Sequence, residues 1–184
     1  MKELLSKFSI GLDSILISCA HPPKGFRRYC YAERMNLEIE KKFGDKFIDS
    51  LRNVADQQFV KNNPNLIFDF SECETTSRYI TAKTYEEFLE KPENDFIDGL
   101  NYPKMSKRQA KKEKANTEVF FVIYKDGSVG NLKAESDFSI SKNKDFAKYF
   151  EKEATSFVKK AKWKPANYRG IIVNSEMTLN LYNK

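Results

Sequence analysis

The residue types that most often carry catalysis are scarce in this chain. There is one histidine, His21, and there are three cysteines, Cys19, Cys30 and Cys73. His21 stands beside Pro22 and Pro23, in a stretch that reads as a loop. No partner sits at a spacing that would make it a general base. The cysteines are too far apart to resemble metal-binding pairs. The motifs G-x-S-x-G, H-E-x-x-H and C-x-x-C and the Gly-rich phosphate loop do not occur. Asp69, Glu72 and Glu74 gather acid, and read best as the wet end of a strand. These residues imply no catalytic group, no metal site and no cofactor, hence a protein that is not an enzyme.

Cys19 suggests a different chemistry. Leu16-Ile17-Ser18-Cys19 has the form of a bacterial lipobox, in which the cysteine is lipidated after cleavage. Lys2 and Lys7 precede it, but Glu3 and Asp13 interrupt the basic start and apolar core that export signals use. The competing reading is an amphipathic N-terminal helix with a buried thiol. If Cys19 is lipidated in an exported protein, Cys30 and Cys73 remain as an even pair able to form a disulfide. Otherwise all three are buried free thiols.

Composition narrows the class. The chain has 184 residues, 40% hydrophobic and 32% charged, which suits a packed core. No apolar run reaches the length of a membrane helix. Residues 1–100 carry 14 Lys/Arg against 17 Asp/Glu, and residues 101–184 carry 18 against 9. The change of sign divides the chain into regions with different roles. The basic half holds only Arg108 and Arg169 as arginines. That is poor material for bidentate readout of phosphate or guanine.

The elements follow from periodicity. Met35, Ile39, Phe43, Phe47, Leu51 and Val54 recur at helical spacing, in one helix or in two broken at Gly44. Leu66 to Phe70 is a short apolar run consistent with a strand. Thr84 reads as an N-cap with Glu87 as its capping-box partner, and Pro92 is expected to limit that helix. Asn101 to Asn116 is basic through Lys104, Lys107, Arg108, Lys111, Lys112 and Lys114, and reads as a wet face or connector. Val119 to Tyr124 is β-branched and aromatic, a strand apolar on both faces. Asp126-Gly127 supplies a hairpin turn. Residues 145–162 are helical by period, with Phe146, Phe150, Ala154, Phe157, Val158 and Ala161 on one face. Trp163 follows as an apolar anchor whose indole N–H needs a partner, and Pro165 is expected to stop the helix. Gly170 opens a last strand in which Val173, Ser175, Met177, Leu179 and Leu181 alternate with Asn174, Glu176, Thr178, Asn180 and Tyr182. The second set is expected on the wet face.

Strand, hairpin, strand, helix and strand in this order resemble the C-terminal domain of TonB-type energy transducers. The resemblance covers about residues 101–184. It rests on Tyr102-Pro103 before a basic segment, Asp126-Gly127, Trp163-Lys164-Pro165-Ala166 and Gly170 before the alternating strand. It implies an α+β fold: a three-stranded antiparallel sheet packed on one helix, preceded by a mainly helical N-terminal region. It also implies binding of a short extended peptide of an outer-membrane transporter, through the last strand and the segment around Tyr102 and Pro103. The residues expected to meet the peptide are Tyr102, Pro103, Asn174, Glu176, Thr178, Asn180 and Tyr182. Asp126, Gly127, Trp163, Pro165 and Gly170 are expected to serve folding alone. The family's membrane helix and Pro-rich spacer have no counterpart here, and its Gly before the first strand is replaced around Asn116-Thr117.

The expectation is therefore three segments: residues 1–19 as a lipoprotein signal or helix, 20–100 as a mainly helical region, and 101–184 as the TonB-like domain. The protein would act in transport in the periplasm or cell envelope, anchored there if Cys19 is lipidated. The alternatives are a homodimer pairing through the same strand edge, and a basic cytoplasmic nucleic-acid binder using Lys104 to Lys114.

Overall fold

The computed structural model describes residues 1–11, 24, 29–100 and 116–182. The chain forms two compact units, Met1–Asn62 and Asn63–Lys184. Residues 63–100, which the sequence grouped with the helical region, supply strands and a helix to the second unit.

The first unit contains α1 (Lys2–Ser6), α2 (Cys30–Phe43) and α3 (Phe47–Asn62). The break between α2 and α3 falls at Gly44, whose φ of 95° suits a residue without a Cβ. Phe8, Phe43 and Phe47 cluster there, with the Phe43 and Phe47 rings stacked at 4.5 Å. Leu5 and Val60 are its only buried hydrophobic residues among those described.

The second unit is α+β. Its elements are β1 (Ile67–Phe68), β2 (Arg78–Tyr79), α4 (Tyr85–Asp98), β3 (Asn116–Ile123), β4 (Val129–Asp137), α5 (Ala147–Lys160), β5 (Trp163–Lys164), β6 (Ala166–Tyr168) and β7 (Ile171–Tyr182). The main sheet runs in the order β1-β7-β3-β4, with β6 also pairing β7. The β1–β7 pair is parallel and the other pairs are antiparallel. The expected three-stranded antiparallel sheet is thus replaced by a larger mixed one. The additions are β6 and the parallel strand β1, which falls within the Leu66–Phe70 run that the sequence reads as a strand but whose place in this sheet it does not give. A separate ribbon joins β2 to β5.

α5 buries Phe150, Ala154 and Val158, and packs over β3 and β4. Burying each large apolar side chain of this kind contributes about 1.5–3 kcal/mol. Trp163 is buried at the junction of helix and sheet. Its ring lies 5.0 Å from Phe121 and 5.4 Å from Tyr79, and its indole N–H donates to the Val158 carbonyl at 3.0 Å.

Several local expectations change. α4 runs through Pro92 to Asp98 instead of stopping there. Pro92 and Phe96 are both buried, so packing outweighs the lost backbone bond. Thr84 does cap α4, accepting from the Glu87 N–H at 3.1 Å, while the Glu87 carboxylate accepts from the Lys83 N–H. α5 ends at Lys160, before Pro165, which lies between β5 and β6. A 3-10 turn, Ser141–Phe146, precedes that helix. β3 begins at Asn116, and of the apolar residues on its second face Val122 is buried while Phe120 is exposed.

Candidate peptide-docking edge

β7 is positioned by two hairpin turns. In the β3–β4 turn, the Gly127 N–H donates to the Tyr124 carbonyl at 2.8 Å, and Asp126 accepts from the Ser128 N–H at 2.9 Å. These Ser128 bonds hold the Asp126 carboxyl below its ordinary range. Gly127 has φ 81°, and a Cβ there would meet the Trp163 carbonyl oxygen at 3.0 Å. The turn therefore needs glycine for both conformation and space. The β6–β7 turn places Arg169 and Gly170 at φ 51° and 79°. Two positive values match the tight primed turns of hairpins.

The alternation along β7 is as expected from Ser175 onward. Met177, Leu179 and Leu181 are buried, and Glu176, Thr178 and Asn180 are exposed. Asn174 departs from it, being 5% exposed. Its side-chain oxygen accepts from the Lys125 N–H at 3.0 Å, and its amide donates to the Leu66 carbonyl at 3.3 Å. It ties β1 and the β3–β4 turn to β7 from a buried position instead of the expected wet face.

The register reveals which way the β7 backbone points. The Ser136 N–H on β4 donates to the Glu151 carboxylate of α5 at 3.1 Å, so it points away from β3. Ser136 lies opposite Thr117, and the two hydroxyls are 2.9 Å apart. Along an antiparallel strand, both backbone groups of a residue point to the same side, and the side alternates. Thr117 therefore directs its backbone groups toward Leu181 on β7. The unbroken register makes Val119–Leu179, Phe121–Met177 and Ile123–Ser175 the other bonded pairs. By the same alternation Asn174, Glu176, Thr178 and Asn180 point to the opposite flank.

β1 occupies part of that flank, pairing Ile67 with Asn174 and Phe68 with Ser175. β6 pairs residues 171–173 on the flank that β3 takes further along, since the backbone groups of Ile171 and Val173 turn the same way as those of Ser175. The start of the last strand is thus taken up internally, which shortens the expected edge of 173–182. After Phe68 the chain turns aside. Asp69 accepts from the Ser71 N–H and hydroxyl, and Glu72 accepts from the Asp69 N–H. The Ser71 bonds hold the Asp69 carboxyl below its usual range. This capping closes a 3-10 turn, Phe70–Glu72, where a third rung would otherwise form. The parallel bridge of Phe68 with Ser175, whose own groups turn to β3, also takes the Glu176 N–H, which donates to the Phe68 carbonyl. Among the described residues, no strand pairs the outward backbone groups of Thr178 or Asn180. Sequence alternation could not have found these groups, because it reports faces and not flanks.

Tyr102, Pro103, Cys19, His21 and the basic run Lys104 to Lys114 lie outside the described residues, as does the Tyr182 side chain. Cys30 and Cys73 are free thiols and form no disulfide with each other. Burial, then Glu72 and Asp69, push the Cys73 thiol up. Among the described residues no acid, His or Cys cluster could hold a metal ion, and no helix is long and apolar enough to cross a membrane. In sequence comparison the chain matches no family model and no curated protein.

Proposed function

We propose that this protein is a non-enzymatic cell-envelope protein whose second unit binds an extended peptide by adding it as a strand beside β7. The guest would come from an outer-membrane transporter or another envelope partner, in support of transport. The observation that carries the reading is the set of outward N–H and C=O groups on Thr178 and Asn180, which no described strand pairs. A sheet edge with unpaired groups is a template for a further strand. The exposed side chains of these residues would flank the guest, while Met177, Leu179 and Leu181 keep the other face packed.

The test is amide hydrogen exchange with and without an extended peptide taken from an outer-membrane transporter. Saturating peptide should slow exchange at Thr178 and Asn180. Exchange at Met177, Leu179 and Leu181 should be slow throughout, since their N–H groups bond β3. Unchanged exchange at Thr178 and Asn180 with peptide bound would refute the docking site. Slowing that grows with protein concentration alone would instead identify a second copy of the chain as the guest.

A further inference from the structure

The opposite edge of the sheet carries a second surface. β4 is the outer strand there, and α5 runs beside it. Between them lies an open groove of about 540 Å³. Lys148, Lys152 and Lys159 of α5 line it, with Glu151 as the only acid in the lining and Ala134 on the strand side. The three lysines are exposed. Their spacing sets them on one helix face above the strand edge.

The backbone direction derived for Ser136 fixes that of Ala134, two residues earlier on the same strand. Its N–H and C=O point away from β3, into the groove. Among the described residues, no partner binds them. Two residues on, the Glu151 carboxylate already accepts from the outward N–H of Ser136. An acidic side chain therefore already satisfies one donor of this edge.

We propose that this groove binds an acidic extended segment of a partner protein, paired with the backbone of Ala134 and carrying its carboxylates over Lys148, Lys152 and Lys159. The charge of the lining selects the sign of the guest, and the strand edge selects its extended form. Glu151 competes with the guest for this edge. The site is separate from the β7 flank and does not depend on it.

The experiment uses the full chain and a short labelled peptide of alternating Thr and Glu, whose Thr residues favour extended backbone, read by fluorescence anisotropy at low salt. Binding should weaken as salt rises. The double variant Lys148→Glu with Lys152→Glu should weaken it about tenfold. Ala134→Pro removes only an outward donor and should weaken it about fivefold. Glu151→Gln should strengthen it. Slowed exchange at the Ala134 amide in the unmodified chain reads the same contact should the Pro variant misfold. Absence of peptide binding at low salt overturns the proposal. So does tighter binding of a short single-stranded oligonucleotide, or loss of peptide binding in Thr178→Pro, which would move the guest to β7.

Discussion

Two neighbouring substitutions on β7 separate the edge from the ladder. The Leu179 N–H faces Val119 on β3, and the Leu179 side chain is 6% exposed. Leu179→Pro removes one rung and strands a buried carbonyl, which costs about 1–3 kcal/mol. It also truncates a core side chain, which adds about 2–3 kcal/mol. Together these approach the total stability of many domains, about 5–15 kcal/mol. Thr178→Pro removes an N–H that points the other way, from an exposed residue. Edge strands tolerate such a proline, and the expected cost is about 1 kcal/mol, from lost strand preference. Urea unfolding followed through Trp163, the single tryptophan and a buried one, measures both. Equal destabilisation by the two changes would show that the backbone parity assigned to β7 is wrong, and the docking flank with it. With the parity upheld, Thr178→Pro should remain folded and lose peptide binding.

Other outcomes follow from the surroundings of single residues. Gly127→Ala should destabilise by about 1–2 kcal/mol, more than Gly170→Ala, since both sit at positive φ but only the first Cβ meets backbone; urea midpoints compare them. Asn174→Ala should cost about 1–3 kcal/mol by leaving the Lys125 N–H and Leu66 carbonyl without their partner, and should speed amide exchange in β1. Burial, then the Asp95 carboxylate that accepts its hydrogen bond at 2.9 Å, push the Tyr79 phenol up to about 12. The folded state thus keeps a proton that the unfolded state sheds near pH 10. That contribution to stability is full below about pH 10 and falls away as pH rises toward 12. Tyr79→Phe should lack this part of the decline when urea midpoints are taken across that range.

Much of the local structure was written in the chain itself. The Thr84 cap, the Asp126-Gly127 turn and the alternation from Ser175 to Leu181 each arise from neighbours within a few positions, and the break at Gly44 was one of the two readings its helical run allowed. A cap or a turn is satisfied by its own flanking backbone, and a period of two needs only one face to be buried. The burial of Trp163 and the need of its indole for a partner were equally legible from its size and polarity. Where the contacts are distant, the sequence was silent. Nothing in Ile67 and Phe68 announces a parallel pairing with residues more than a hundred positions away. Pro92 reads locally as a stop, and only burial against the core lets α4 pass through it. Asn174 has the side chain of a wet position, yet β1 and the β3–β4 turn converge on it. The deepest limit is directional. Side-chain alternation gives the buried face of a strand, but N–H and C=O lie in the plane of the sheet, at right angles to that information. Which flank of β7 meets β3, and how much of the other β1 fills, depends on register between segments far apart in sequence, and only the folded chain decides it.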